Sequence, residues 1–179
     1  QNIAQAMSAG HAEQRLAEIE LLGKDGPRIP VEVNRMAHQF GDEATAKQWA
    51  RICNDLIHRA VTLYPENFVG VCQLPQVTGV SPKNCIPELE RCVNELGFVG
   101  CNLNPDTSGG FFNGPGLADR YWYPLYEKMC ELGVPGMIHV SEACNTPYFQ
   151  TTGSYYLAAD TVAFMQLMTS DLFKDFPDL

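Results

Sequence analysis

A 30-residue repeat constrains the fold of this chain more than any other feature of its sequence. Phe68-Val69-Gly70 leads to Leu74-Pro75, and Phe98-Val99-Gly100 leads to Asn104-Pro105 after 30 residues. Each apolar run ends at a proline, as is typical of a buried strand in a parallel sheet. Two such strands at this spacing, with a helical pattern between them, indicate a parallel βαβ unit.

Helical patterns fill the spaces between the predicted strands. Between the two repeats, Pro87 suits the first turn of a helix and Gly97 suits the position just past its end. Elsewhere, apolar residues recur at steps of three and four, the period of a helix with one buried face. The sequence predicts helices over 1–22, 42–63, 87–96, 121–132 and 157–173, and further strands over 29–33 and 134–140.

Alternating strands and helices fit either a doubly wound sheet or a (β/α)8 barrel. No G-x-G-x-x-G motif follows a strand, which weakens the dinucleotide-binding version of the doubly wound sheet. A complete barrel takes roughly 250 residues, and this chain has 179. We therefore expect the central portion of a partial (β/α)8 TIM-type barrel, as one domain over 1–179 with 1–34 poorly assigned.

Half a barrel is not expected to be stable without further residues or a partner. The chain starts at Gln1 rather than at a methionine, so we expect it to be a piece of a longer protein. Half a barrel leaves strand edges and apolar surface open. Further residues or a partner have to cover them, and the sequence thus predicts a homo-oligomer as one solution.

Composition argues against several kinds of partner. The 12 Lys and Arg residues are scattered in a chain of net charge −9, which excludes a basic nucleic-acid surface. No run reaches the ~18 apolar residues of a membrane span. The seven cysteines form no C-x-x-C pair and indicate reduced, buried thiols. With no signal peptide at the start, these features predict a cytoplasmic protein.

His139 is the sharpest candidate for chemistry. It follows the apolar run Pro135 to Ile138, so it ends a predicted strand. Active sites of βα barrels lie at the carboxyl ends of the strands. An imidazole there is a common ligand of zinc and similar metals. The alternative is a core histidine that makes one hydrogen bond.

Asn104 is the second candidate. Alternate residues of a strand point the same way, so Asn102, Asn104 and Asp106 are expected to share one face. The Asn104 amide is predicted to bind a substrate carboxylate or enol oxygen. The alternative is capping of the following turn, which an Asn-Pro-Asp sequence favours.

The stretch from Glu142 to Tyr156 predicts a long polar loop at the same end of the barrel. It contains Asn145 and Tyr156, which we take as candidate substrate contacts. Their alternative role is capping of the next helix. The remaining histidines, His11, His38 and His58, lie in weaker contexts, and no G-x-S-x-G motif supports a serine hydrolase.

Several runs carry a resemblance to a known family. Residues 36–179 resemble the amidohydrolase superfamily, in its aminocarboxymuconate-semialdehyde decarboxylase-like branch. The matching runs are Met36-Ala37-His38, Cys85-Ile86-Pro87-Glu88-Leu89-Glu90, Asn102-Leu103-Asn104-Pro105-Asp106, Ser108-Gly109-Gly110, Trp122-Tyr123-Pro124, Tyr126-Glu127-Lys128-Met129, Met137-Ile138-His139-Val140-Ser141, Thr151-Thr152-Gly153 and Asp171-Leu172-Phe173-Lys174-Asp175-Phe176-Pro177.

The resemblance implies a distorted TIM barrel with one divalent metal, zinc above others, and a small-molecule oxo-acid substrate. The implied activity is hydration of a conjugated oxo-di- or tricarboxylate, such as 4-oxalomesaconate, in the breakdown of aromatic compounds. His139 falls on the family's metal ligand of strand five, and Tyr156 falls on a tyrosine expected near the substrate. Arg35 is a candidate for the family's substrate arginine by proximity alone.

The chain also departs from the family's pattern. The H-x-H pair of the first strand is absent, and so are a later histidine and an acidic ligand. Because a zinc site takes three or four protein ligands, we predict that these 179 residues alone neither hold zinc tightly nor turn over substrate. Two rivals stay open, namely a decarboxylase of the same branch and a truncated, inactive homologue that acts as a binding subunit.

Overall fold

The computed structural model describes residues 17–21 and 29–33 by their backbone, and residues 42–141, 143–145, 147–149 and 153–179 in full. The chain divides into two compact units, Gln1–Met36 and Ala37–Leu179. The organisation of 1–179 as one domain stays a prediction. Arg35, His11 and His38 lie outside the described residues.

The first unit contains two antiparallel strands, β1 (Ala17–Leu21) and β2 (Ile29–Val33). The strand predicted over 29–33 is confirmed, but the helix predicted over 1–22 is wrong at 17–21. The reason is visible in the sequence, since β1 reads Ala-Glu-Ile-Glu-Leu and alternates with the period of two that a strand requires. Glu18 stands opposite Glu32, and Ile19 stands opposite Val31.

The second unit alternates helices with parallel strands, as predicted. Its elements are α1 (Glu43–Leu63), β3 (Cys72–Gln73), α2 (Ile86–Asn94), β4 (Cys101–Leu103), α3 (Tyr123–Leu132), β5 (Gly136–Ile138), α4 (Ser154–Thr169) and α5 (Leu172–Asp175). Short 3-10 turns, Pro82–Cys85 and Arg120–Trp122, lead into α2 and α3. Asp42 caps α1, because its carboxylate accepts a hydrogen bond from the Thr45 amide at 2.8 Å.

The three strands of the second unit form one parallel sheet in the order β3-β4-β5. Cys72 pairs with Cys101, and Cys101 pairs with Gly136. This register divides the sheet into two faces, because successive side chains alternate. One face carries Cys72, Cys101 and Leu103, which are buried, and the other carries Asn102 and Met137.

Helices α2 and α3 supply the core that covers the apolar face of the sheet. Leu89 and Cys92 of α2 and Leu125 and Met129 of α3 belong to one buried cluster with the strand residues. Gly136 allows this close approach, since a Cβ there would lie 2.6 Å from Leu103 and 2.7 Å from Met129. The sheet face of Asn102 and Met137 remains the candidate barrel interior.

Asn54 of α1 completes the outer edge of β3. Its side-chain amide accepts from the Gln73 backbone amide at 2.8 Å and donates to the Gln73 carbonyl at 3.0 Å. The same amide donates to Glu88 at 2.8 Å, and Glu88 pairs with Arg91. In the described part of the chain no strand flanks β3 on this side, and the buried Asn54 side chain satisfies the backbone groups of Gln73 instead.

The cysteines behave as the sequence predicts. None of the seven forms a disulfide. Cys72, Cys85, Cys92 and Cys101 are buried, and the other three are half-buried. Burial raises the pKa of the Cys101 thiol to about 12, so this thiol stays protonated and unreactive at neutral pH. Among the described residues, no helix combines the length and apolar character needed to cross a bilayer.

Candidate active site

The segments that follow the three parallel strands lie together at their carboxyl ends. Gln76, two residues after Leu74, reaches Asn104, which directly follows β4. The Gln76 side chain accepts from the Asn104 backbone amide at 2.9 Å and donates to the Asn104 carbonyl at 3.1 Å. Thr78 and Thr107 add a second link between the same two segments, with their hydroxyl oxygens 2.7 Å apart.

The Asn104 side chain extends this connection to the segment after β5. Its amide nitrogen donates to the Ser141 hydroxyl at 2.7 Å, and its oxygen accepts from the Asp106 backbone amide at 3.0 Å. Both Asn104 and Ser141 are buried. The turn-capping alternative considered for Asn104 is therefore observed. Its binding of substrate stays a prediction.

His139 lies one residue past β5 and is exposed. Its backbone amide donates to the Leu103 carbonyl at 2.8 Å, which extends the β4–β5 register by one step. The alternation of strand side chains assigns His139 to the face of Met137 and Asn102. The alternative of a core histidine is wrong, because the side chain is not buried.

Asp106 organises the loop that follows β4. Its carboxylate accepts from the backbone amides of Ser108 at 2.9 Å, Gly110 at 2.6 Å and Phe112 at 3.3 Å, and also from the Ser108 hydroxyl. Asp106 itself is buried. These contacts turn the backbone of 106–112 around one carboxylate and give Asp106 a structural role.

Tyr155 is a site residue that the sequence analysis missed. It is buried in the first turn of α4, and its hydroxyl donates to the Asp106 carboxylate at 3.0 Å. Burial, reinforced by the Asp106 charge, raises the pKa of this phenol. Tyr155 and Tyr156 are adjacent and of the same type, so only the helix phase distinguishes the buried one from the exposed one.

The other candidates lie near this loop in different roles. The Asn145 side chain donates to the Gly110 carbonyl at 3.2 Å, and its backbone amide donates to the Gly109 carbonyl at 3.1 Å. Asn145 thus holds the loop after β5 against the loop after β4. Tyr156 is 41% exposed, and its ring contacts Tyr155. Contact of Asn145 or Tyr156 with a substrate stays a prediction.

A pocket of about 240 Å³ opens beside the Asp106 loop. Its lining includes Asp106 and Trp122, together with Val162 and Gln166 of α4. His139, Asn145 and Tyr156 are not among its lining residues. The pocket and the exposed histidine are therefore separate features of this end of the sheet.

The chemistry of the donor atoms bears on a metal at His139. In the described part of the chain, no three or more His, Cys, Asp or Glu residues group closely enough to hold an ion. Asn102, on the same sheet face, has a buried side-chain oxygen without a hydrogen-bond partner. An accessible imidazole and an uncommitted amide oxygen on one sheet face fit a metal or a polar substrate, but they supply only part of a ligand set.

Comparison with known proteins identifies hydratases as close relatives. The chain is 56% identical to the 2-keto-4-carboxy-3-hexenedioate hydratase of a Sphingobium species over 165 residues, covering 92% of this chain and 48% of that protein. The crystal structure of 4-oxalomesaconate hydratase from Rhodopseudomonas palustris matches with a TM-score of 0.70 and 54% identity. That match covers 81% of this chain and 40% of the other.

A decarboxylase structure is also similar. Dihydroxybenzoic acid decarboxylase from a Polaromonas species, with bound manganese and the inhibitor 2-nitroresorcinol, matches with a TM-score of 0.63 and 29% identity. The match covers 82% of this chain and 46% of that one. This chain spans about half the length of the relatives it matches, or less.

The family match itself extends over nearly the whole chain. The family model described as amidohydrolase matches residues 5–179. The expected resemblance is confirmed, and so is the fold class, since a three-stranded parallel sheet with its helices forms part of a (β/α) barrel. This chain belongs to the amidohydrolase family.

Proposed function

We propose that this chain forms part of a metal-dependent hydratase that adds water to a conjugated oxo-di- or tricarboxylate, such as 4-oxalomesaconate. The observation that carries the proposal is the 56% identity to a named hydratase across 92% of the chain. The decarboxylase structure is 29% identical. A substrate of this kind is a small molecule with several carboxylates.

Decarboxylation is the second candidate, because relatives with that activity share the fold. Both reactions use an acidic substrate. They differ in whether water is added across a carbon–carbon double bond or a carbon–carbon bond is broken. A truncated, inactive homologue that serves as a binding subunit is the third candidate, favoured by the incomplete ligand set among the described residues.

The proposed cofactor is one divalent metal, most simply zinc, with His139 as one ligand. The accessible imidazole at the end of β5 supports this assignment. A divalent metal of this kind lowers the pKa of a bound water toward neutrality. The other ligands are proposed to lie outside the described residues.

The remaining site residues are proposed as substrate contacts. Tyr156 offers an exposed phenol in the first turn of α4, and Asn145 and Asn104 offer amides from the loops beside His139. Arg35 is proposed to pair with a substrate carboxylate, for which a guanidinium gives bidentate hydrogen bonds. These groups would orient the substrate rather than move protons.

The cellular location and the oligomeric state are also proposals. Seven cysteines without a disulfide agree with a reducing compartment, which supports the cytoplasm. A homo-oligomer is supported by apolar side chains exposed on α4, including Leu157 and Met168.

An assay of the full-length protein tests the main proposal. Purified protein is loaded with zinc, and consumption of 4-oxalomesaconate is followed together with carbon dioxide release. Hydrated product without carbon dioxide supports the hydratase. Carbon dioxide release supports the decarboxylase, and a metal-loaded protein that binds the oxo-acid without turnover supports the binding subunit.

A further inference from the structure

Regular sheet pairing stops before the residues that carry the candidate chemistry. The β3–β4 pairing ends at Gln73 and Asn102, and the β4–β5 pairing ends at Leu103 and Ile138. Asn104 lies beyond its strand, as does His139. One further ladder-type bond reaches His139, from its backbone amide to the Leu103 carbonyl. The placement of Asn104 and of the segment past His139 therefore depends on additional contacts.

Gln76 supplies such a contact between the first two strand ends. Its side chain is buried, and its two polar atoms bond the amide and the carbonyl of one residue, Asn104, at 2.9 and 3.1 Å. This is the pairing that a neighbouring strand would provide. The Gln76 backbone is held in turn, since its amide donates to the Leu74 carbonyl at 2.9 Å.

Asn104 transmits this constraint to the third strand end. Its side chain donates to Ser141 at 2.7 Å, two residues past His139. On the other side of the histidine, the backbone amide of His139 is fixed on the Leu103 carbonyl at 2.8 Å. The histidine is thus held between two contacts, both anchored in β4 or its extension.

We propose that Gln76 is a positioning residue for the metal site, an inference that rests on the proposed function above. By fixing the Asn104 backbone, Gln76 fixes Ser141 and with it the direction in which the His139 imidazole meets a metal. Supporting contacts of this kind typically change metal affinity by 10- to 100-fold when they are removed.

The test uses the full-length protein with cobalt(II) as the metal probe. Gln76→Met keeps the length of the side chain but removes both hydrogen bonds. The matched control is Gln48→Met, because Gln48 is an exposed glutamine on α1. We expect cobalt to bind ~10- to 100-fold more weakly to Gln76→Met, with a changed visible absorption spectrum, and the control to match wild type in both.

Thermal unfolding of the metal-free proteins separates positioning from stability. If Gln76→Met unfolds at a lower temperature yet binds cobalt with wild-type affinity and spectrum, the positioning role is overturned. If Gln76→Met does not fold, Ser141→Ala decides, since it cuts the link to Asn104 and unchanged cobalt binding there overturns the role. A wild-type protein that binds no cobalt overturns the proposed function itself, and the positioning role with it.

Discussion

Asp106 shows how one carboxylate can determine the path of a loop. Three backbone amides and two hydroxyls point at it, and all of these donors come from 108–112 or from Tyr155. In a solvent-exposed turn of this kind, the backbone amides would donate hydrogen bonds to water. Here the carboxylate is buried, so its donors have no ready substitute.

Replacing Asp106 by alanine should lower the free energy of unfolding by about 2–4 kcal/mol, because the buried donors of Gly110 and Tyr155 lose their acceptor together with the half-buried donors of the loop. Urea unfolding of the full-length protein measures this change. Asp160→Ala is the control, since Asp160 is exposed on α4, and it should stay within about 0.5 kcal/mol of wild type. Equal stability of the two variants would contradict the role of Asp106.

His139→Ala should remove the metal from the full-length protein. A direct ligand is expected to matter more than its supporting contacts, so affinity should fall by more than about 100-fold. Elemental analysis of the purified protein gives the metal content per chain. His58→Ala, on α1, should retain the metal, and wild-type metal content in His139→Ala would refute the assignment.

Buried thiols predict how stability depends on pH. Burial raises the pKa of Cys101 to about 12, whereas an unfolded cysteine titrates near pH 8.5. The folded protein therefore keeps a proton that the unfolded chain loses, and stability is full below about pH 8.5 and declines toward pH 12. Urea unfolding at several pH values should give a shallower decline for Cys101→Ala, and an unchanged slope would contradict this.

The sequence identified candidate site residues by their place in the chain but not by their partners. The position of His139 after a strand was sufficient to predict its location. The roles of Gln76 and Tyr155 depend on hydrogen bonds to residues 28 and 49 positions away. Such long-range contacts leave no local pattern, which is why both residues were missed.

At the scale of elements, the repeated Phe-Val-Gly run has a packing explanation. A Cβ at Gly70 would lie 2.2 Å from the Phe98 ring, so the first glycine makes room for the second phenylalanine. Gly100 in turn lies under the Pro135 carbonyl, 3.0 Å from where a Cβ would be. Each glycine thus admits the segment that leads into the next strand. Phe98, which packs on Gly70, is buried, whereas Phe68 is exposed.

Gly70→Ala should therefore destabilise the protein by about 1–3 kcal/mol, because a buried aromatic ring has to move. Gly114→Ala is a matched control, since no atom lies within 4 Å of its added Cβ. Urea unfolding should place the control close to wild type. Similar losses in both variants would show that the close approach of Phe98 to Gly70 is unimportant.

Helices and strands were predicted correctly where the hydrophobic pattern ran over many residues. The prediction failed where the pattern was only a few residues long. The 21-residue helix α1 and the βαβ repeat were recognised from spacing alone. Strand β1 was mistaken for helix because a five-residue alternation was absorbed into a longer window. Strand lengths were also overestimated, since the 134–140 run contains only three paired residues, Gly136–Ile138.

At the scale of the whole molecule, α4 has two apolar faces. Tyr155, Ala159 and Ala163 face the interior. Phe164 and Met168 lie on the opposite side, 59% and 61% exposed. In a (β/α) barrel the neighbouring helices contact the flanks of a helix, and its outward side faces away from the barrel. We propose that a second copy of the protein covers this apolar outward side.

This geometry makes a prediction about assembly. A two-fold contact would bring the Phe164 and Met168 surface of one protomer against the same surface of its partner. Placing charges there, as Phe164→Glu with Met168→Glu, should weaken self-association by at least ~100-fold, equivalent to about 2.8 kcal/mol. Analytical ultracentrifugation of the full-length protein would then detect monomers at concentrations where wild type is associated.

The control is Gln48→Glu, at an exposed position on α1. It adds a carboxylate to the surface without placing it on the outward apolar side of α4, so its association should equal that of wild type. Circular dichroism should be alike for all three proteins. If the double variant sediments as wild type does, this side of α4 is not the interface, because two carboxylates cannot be buried in an apolar contact without a large cost.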